Sequence, residues 1–371
     1  MRSIHDENAL QTTLLRAATA HRARGVRFVE PRRSCEAKPS VSGPGLQSIP
    51  MKAIQVSRHG GPEVLELVEL GDPSPGPTEV VVRSVAIGVN FVETYQRSGL
   101  YPVDLPLVPG GESAGEVVVA GNAVDSLRVG DRVVTTDASG SYAELAVVPA
   151  DRAVIVPDGL SLDLAAAAFL QGLTAHYLAT DTFPLGKGHR CLIHAGAGGV
   201  GSLLIQMAKR RGAEVFATAG GGEKVAIARA AGADHVIDYR RADFKTEIEA
   251  IAGLRPLDVV YDGVGKDTFL GGLGLLRRLG MMVSYGNASG PPDPISPLAL
   301  RDGSLFLTRP MLPDYTATTE ELQKRAAEVL SWVEEGMLEV RIGVRFPLIS
   351  AADAHRALEG RKTTGKVLLE P

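Results

Sequence analysis

Arg190-Cys-Leu-Ile-His-Ala-Gly-Ala-Gly-Gly-Val-Gly201, running directly into Ser202-Leu-Leu-Ile-Gln-Met-Ala-Lys209, is the stretch that decides the fold. The apolar run Cys191 to His194 reads as a buried parallel strand. It breaks into Gly196-Ala-Gly198-Gly-Val-Gly201, after which Leu204, Met207 and Ala208 fall on one helical face. This is G-x-G-x-x-G between a strand and a helix, the setting in which the pattern means dinucleotide binding; a bare glycine match is an ordinary turn. The reading assigns Gly196 to the tight turn, Gly198 to close approach of backbone amides to a pyrophosphate, and Gly201 to close helix–strand packing. The positive end of the helix then holds the phosphates.

Outward from this loop the chain alternates. Strands are expected at Glu214–Thr218, His235–Asp238, Leu257–Tyr261 and Met281–Tyr285, with helices at Glu223–Ala231, Phe244–Ile251 and Thr268–Leu276 between them. That alternation predicts an α/β domain over 174–306, a doubly wound parallel sheet of the Rossmann kind. An Asp or Glu ending the second strand would hold the ribose 2′-hydroxyl of NAD. Here the strand runs out through Ala219-Gly220-Gly221-Gly222-Glu223-Lys224, leaving room for a 2′-phosphate beside a cation. Glu223 argues the other way but suits a helix start; Lys224 alone also reads as a solvated helix residue. The balance favours NADPH. Two further strand ends, Asp262-Gly263-Val264-Gly265 and Gly286-Asn287-Ala288-Ser289-Gly290, are fit for close approach to a ligand, although plain turns would look the same.

Residues 51–173 show short alternating strands punctuated by Pro and Gly, predicting a compact, barrel-like β domain. Inside it, Gly88-Val-Asn90-Phe-Val-Glu93-Thr-Tyr95-Gln-Arg97-Ser-Gly99-Leu-Tyr101 gathers amide, acid, phenol and guanidinium. Some of Asn90, Tyr95 and Arg97 are expected to face solvent or a ligand. Asp163–Leu170 and Gly172–Tyr177 read as two helices with a break, a crossover between domains. After residue 307 come a helix from Thr319 to Gly336, a helix from Ala351 capped by Ser350, and a final strand completing the β domain, which makes it discontinuous. Arg361 and Lys366, in the last loop, read as surface charges or phosphate ligands, with Arg361 the more functional of the two.

The chain of 371 residues exceeds what one core usually fills. Its net charge of −4 gives no electrostatic case for nucleic acid, and no apolar run is long enough for a membrane span. Two cysteines, Cys35 and Cys191, form no disulfide framework and suit a reducing, cytoplasmic setting. The first fifty residues carry seven arginines and Lys38 against four acids. They read as a disordered extension or a start placed too early rather than a transit peptide, since Asp6 and Glu7 lie so near the start. Metal ligation is not expected: His59, His176, His189, His194, His235 and His355 are scattered, no His precedes Glu112, and Cys191 lies in a strand. No serine nucleophile is expected. Without a metal to polarise an alcohol, reduction of an electron-poor quinone or conjugated enone is the expected chemistry.

From Met51 to Pro371 the sequence resembles the zinc-independent quinone oxidoreductases (zeta-crystallin-like) of the medium-chain dehydrogenase/reductase superfamily. The resemblance rests on His59-Gly-Gly-Pro-Glu-Val-Leu65, Ile87-Gly-Val-Asn-Phe91, Thr94-Tyr95, Arg97-Ser-Gly-Leu-Tyr-Pro102, Gly172-Leu-Thr174, His194 to Gly201, Val260-Tyr-Asp262, Tyr285-Gly-Asn287 and Thr308-Arg-Pro310. It implies a discontinuous GroES-like β-barrel domain, a Rossmann domain, NADPH and a homodimer. It also implies Asn90, Tyr95 and Tyr101 in a pocket at the nicotinamide, with Thr174 beside it. Gly198, Gly199 and Val200 would meet the pyrophosphate, Lys224 the 2′-phosphate and Tyr239 the adenosine, with Gly263, Gly286, Asn287 and Arg361 completing the site. Three departures stand out: Gly221 where relatives often place a hydroxyl, Gly263 for a serine, and Glu93 for an aspartate. The implied activity is NADPH-dependent quinone reduction. An enoyl-thioester or enone reductase is the alternative in the same chemistry, and a non-catalytic NADPH-binding or RNA-associated protein the alternative outside it.

Overall fold

The computed structural model describes residues 50–371, so all but the last residue of the expected extension lies outside the described residues. The β-rich part begins with the antiparallel pair β1 (Met51–Val56) and β2 (Leu65–Leu70). β3 (Glu79–Val89) leads through Asn90 into α1 (Phe91–Ser98), where Glu93 reaches back to accept from the Asn90 N–H at 2.7 Å. β4 (Ser113–Ala120), β5 (Arg132–Thr135), β6 (Leu145–Pro149) and β7 (Val154–Ile155) follow. The alternation suggests a strand over Tyr142–Val148, but β6 starts only at Leu145. Tyr142 is held in a loop instead, its N–H donating to Pro109 and its carbonyl accepting from Ile54.

α2 (Leu162–Tyr177) starts at Ser161, whose hydroxyl accepts from Leu164 N–H at 3.3 Å. The break expected near Gly172 is absent. A side chain there would press on Val329, so glycine marks close packing against a later helix rather than an end. Ala165 to Phe169 are fully buried, as a helix clamped on several sides requires. The helix loosens over Leu178–Thr182 into a π-helical turn.

The second part alternates: β8 (Arg190–Ile193), α3 (Gly199–Arg210), β9 (Glu214–Ala219), α4 (Gly222–Ala230), β10 (His235–Asp238), α5 (Phe244–Ala252), β11 (Leu257–Asp262), α6 (Phe269–Gly274), β12 (Leu276–Ser284) and β13 (Phe306–Thr308). The strands pair in the order β10-β9-β8-β11-β12-β13, every pair parallel. The order reverses between β8 and β11, and that switch point, at the carboxyl ends of the strands, is where such sheets bind ligands. β13 puts residues 307 and 308 in this sheet, although the sequence places them beyond it.

The chain then returns. α7 (Leu312–Tyr315) and α8 (Thr319–Glu334) follow, α8 with Thr318 and Glu321 capping each other's backbone. β14 (Ile342–Pro347), α9 (Ala351–Glu359) and β15 (Lys366–Glu370) end it. Ser350 makes no side-chain cap, because a short 3₁₀ turn already feeds α9. β15 pairs antiparallel with β3, setting Val367 against Val89, and completes the sheet β14-β15-β3-β4-β5-β7, with β6 also on β3. The discontinuous β domain is therefore built as the sequence suggests.

The join has one tight point. A Cβ added to Gly88 would overlap the buried Glu112 carboxylate. Gly88→Ala should lower stability by about 1–3 kcal/mol, measured by denaturant unfolding. An unchanged midpoint would show that Glu112 has room to move.

Candidate active site

A cleft of about 950 Å³ lies between the parallel sheet and the β domain. At its floor, α3 begins at Gly198 with no side-chain cap, so the N–H groups of its first turn have no intrahelical acceptor. Gly198, Gly199, Val200 and Gly201 all line the cleft. Gly201 has the packing role its spacing suggests, since a Cβ there would strike the Ala195 carbonyl. Gly196 does not have the turn role: the left-handed residue is Ala195, at φ 54°. Gly196 instead sits under α3 against Ala217, Ile205 and Ala228, and does not line the cleft.

Past β9 the rim is cationic. Gly221 takes φ 92° and donates its N–H to Asp238 at 2.9 Å, a backbone role behind the lining. Lys224 Nζ donates to the Arg361 carbonyl at 2.7 Å, and Arg361 pairs with Asp267 at 3.0 Å. Burial first, then Arg240 and Arg361, hold the Lys224 ammonium below its usual range. Lys224, Tyr239 and Arg361 line the rim, and no carboxylate ends β9. Free helix amides followed by converging cations fit a dinucleotide that carries an extra phosphate. Arg240 was not singled out in the sequence because it belongs to the next strand's exit.

At the other end, Tyr95, Tyr101 and Thr174 line the cleft with Gly263 and Gly286. The Tyr95 oxygen accepts from the Asn287 N–H at 2.9 Å, and the Tyr101 oxygen accepts from Arg309 at 3.1 Å. The rings lie 5.2 Å apart. Burial pushes the Tyr95 phenol up to about 12. Each phenol thus has an oxygen already engaged from behind and a proton left to donate. Asn287 stands behind the lining; its carboxamide accepts from Arg309 at 3.3 Å and donates to Gly286 at 2.9 Å. Arg309 itself lines the cleft, a role its place in a Thr-Arg-Pro turn does not announce.

Beneath Tyr95 lies a fully buried polar cluster that the sequence reading missed. Lys366 is neither a surface charge nor a phosphate ligand. Its Nζ pairs with Glu112 and donates to Asn90 Oδ1 at 2.7 Å, both charged side chains being 0% exposed. Asn90 Nδ2 donates to Glu112 at 3.0 Å, and Glu112 Oε1 accepts from Leu170 N–H of α2 at 2.7 Å. Asn90 still borders the cleft. Glu93 is buried alongside, and burial, opposed by Lys366, pushes its carboxyl up to about 7. Of Asn90, Tyr95 and Arg97, the first two line the cleft, whereas Arg97 faces neither solvent nor the cleft. It is 2% exposed, pairs with Glu359 at 2.7 Å and faces His355 Nδ1 at 3.0 Å. Burial and that guanidinium push His355 down to about 3.

His194, at the foot of the glycine loop, is buried with Nδ1 on Thr218 at 2.9 Å and is held below the usual imidazole range by burial. Among the described residues no three His, Cys, Asp or Glu side chains gather as a metal site requires. Gly111-Glu112-Ser113-Ala114-Gly115 does spell G-x-S-x-G, contrary to the sequence expectation. Ser113 nevertheless opens β4 rather than a strand-to-helix elbow, and its buried hydroxyl has no partner.

A parallel dinucleotide sheet facing a discontinuous β domain across such a cleft is the architecture of the medium-chain dehydrogenase/reductases. Two family models match, an alcohol dehydrogenase GroES-like domain over residues 76–158 and a zinc-binding dehydrogenase over residues 199–331. Quinone oxidoreductase of Salmonella typhimurium is 44% identical over 323 residues, 86% of this chain and 99% of that protein. A 2-haloacrylate reductase of Burkholderia is 40% identical over 331 residues, covering 86% and 98%. The crystal structure of Escherichia coli quinone oxidoreductase complexed with NADPH superposes with a TM-score of 0.84 at 42% identity, covering 86% of this chain and all of that one. The chain belongs to the quinone oxidoreductase family of the medium-chain dehydrogenase/reductases.

The Glu93 carboxyl gives a pH dependence. Its proton is held more tightly in the fold, to about 7 against an ordinary 4.5, so this group weakens the fold as pH rises between those values. The weakening is complete above about 7 and amounts to about 3 kcal/mol. Glu93→Gln keeps an oxygen for the Asn90 N–H and removes the titration. Its melting temperature should gain on that of the parent from pH 5 to pH 8. A constant difference between the two would mean that Glu93 does not titrate there.

Proposed function

We propose that this chain is an NADPH-dependent oxidoreductase that reduces quinones without a metal. The observation that carries the reading is the polarity of the cleft: free helix amides and converging cations at one end, two proton-bearing phenols at the other. Gly198, Gly199, Val200 and Gly201 receive the pyrophosphate. Lys224, with Arg361 and Arg240, receives the 2′-phosphate, and Tyr239 flanks the adenosine. Thr174, Gly263 and Gly286 border the nicotinamide, with Asn287 acting from behind through Tyr95. Bound NADPH supplies the hydride.

A quinone that accepts a hydride needs one proton to become the hydroquinone. Tyr95 is the group placed to give it. With its oxygen fixed by Asn287, its O–H is directed elsewhere, and a pKa of about 12 keeps it protonated until charge develops on the acceptor oxygen. Tyr101 and Asn90 orient the acceptor. Conjugated acids and enones are a second acceptor class, favoured by Arg309 in the cleft and by the likeness to 2-haloacrylate reductase.

The reading takes residues 51–173 and 307–371 as the catalytic domain and 174–306 as the cofactor domain, in a cytoplasmic homodimer. The dimer is supported by the open edge of β13, where Phe306 and Leu307 are exposed. Light scattering should give twice the chain mass; a monomer at micromolar concentration removes the dimer.

NADPH oxidation followed with 1,2- and 1,4-quinones, a crotonyl thioester and 2-chloroacrylate separates the acceptor classes. Cofactor binding with no turnover on any of them would overturn the enzyme reading in favour of a non-catalytic protein. Lys224→Glu should raise KM for NADPH about tenfold or more and hardly change it for NADH. Tyr95→Phe should lower kcat about 100-fold with KM for NADPH unchanged; a parental kcat would take the proton-donor role from Tyr95.

A further inference from the structure

We propose that Lys366 and Glu112 are positioning residues that hold the Asn90 carboxamide in a single orientation toward the acceptor. A lysine ammonium only donates and a carboxylate oxygen accepts, so together they identify which end of the amide is which. Lys366 Nζ takes Oδ1 at 2.7 Å, and Glu112 takes one Nδ2 hydrogen at 3.0 Å. The second Nδ2 hydrogen is what remains, on a residue that borders the cleft. Reversing the amide would set its oxygen against the carboxylate and its N–H₂ against the ammonium. The orientation is therefore enforced from both sides.

The frame holding the pair ties this orientation to the cofactor loop. Gly365, the residue before Lys366, donates its N–H to the Ala197 carbonyl inside the glycine loop at 3.0 Å. Glu112 Oε1 is fixed by the Leu170 N–H of α2, the helix that also carries Thr174. The Asn90 amide is thus registered against the loop assigned to the pyrophosphate and the helix assigned to the nicotinamide. A buried ion pair is a weak device for stability alone, since apolar residues of similar volume often serve as well. Fixing a polar group in one pose is what such residues do not replace.

This inference rests on the oxidoreductase reading for what Asn90 faces, and the test has an arm that does not. Lys366→Met should lower kcat with the quinone about 10–100-fold, while Kd for NADPH by fluorescence titration stays within about threefold. In an Asn90→Ala background the same change should cost less than about twofold more, because Lys366 acts through Asn90. Glu112→Gln with Lys366→Met removes both buried charges and should recover the melting temperature but not kcat. In protein labelled at asparagine side chains, the Asn90 amide proton bonded to Glu112 should exchange slowly with solvent in the parent and quickly in Lys366→Met. Recovery of kcat together with stability in the double variant, additive losses with Asn90→Ala, or an equally protected amide in Lys366→Met would each overturn the proposal. If the parent reduces no acceptor, the oxidoreductase reading fails by itself, and the exchange measurement still decides whether Lys366 holds Asn90.

Discussion

The buried ion pair of Lys366 with Glu112 is the interaction that joins the two chain segments of the discontinuous β domain. Burying two charges costs several kcal/mol each before any return, so the pair persists only because its surroundings complete it. Asn90 supplies an acceptor to the ammonium and a donor to the carboxylate, and the α2 backbone donates to the other carboxylate oxygen. Gly88 leaves the space. Four segments meet there: the end of β3, the start of β4, α2 and the start of β15. One cation serves two acids in this cluster, and Glu93, whose remaining partner is a backbone N–H, keeps its proton to near neutrality.

The cofactor end obeys the opposite rule. There cations gather with few acids to balance them, and burial with neighbouring guanidinium groups depresses Lys224. Asp267 answers Arg361, Asp238 accepts from the Gly221 N–H and meets Arg241 at 3.6 Å, and Glu223 only partly offsets the cations around Lys224. An anion that enters would relieve this crowding, which is the electrostatic basis of the 2′-phosphate site proposed above. The same rim is joined to the buried polar cluster through five residues, Arg361 to Gly365, which reach Lys224 at one end and the glycine loop at the other.

Local features were legible in the sequence. The glycine loop, the missing acid after β9 and the alternation of strands and helices each depend on residues a few positions apart, and the structure places them as expected. The final strand of the β domain was also legible, from a short apolar run. What escaped were contacts between distant residues: Lys366 with Glu112, 254 positions apart, and Arg97 with Glu359, 262 apart. A lysine before an apolar strand and an arginine on a short helix both look like surface residues until a partner folds against them. Gly172 misled for the same reason: it admits Val329 of α8, a helix the sequence does predict but whose packing there it does not reveal. Gly196 misled differently: Ala195 adopts the left-handed conformation usually left to glycine, freeing Gly196 to serve packing.

The commitment of Glu112 bears on the chemistry. An acid at the edge of a dehydrogenase cleft is a natural metal ligand or base, but here both of its oxygens are taken, one by α2 and one by Lys366 and Asn90. No His, Cys, Asp or Glu trio among the described residues offers a metal an alternative. Donors stand out among the groups lining the acceptor end: two phenols, a carboxamide N–H and the Arg309 guanidinium, while the Asp137 carboxylate is engaged by Thr136 and Arg152. Such donors stabilise an oxygen that gains negative charge. That polarity suits acceptors whose oxygen becomes electron-rich on reduction, a property quinones and conjugated carbonyls share.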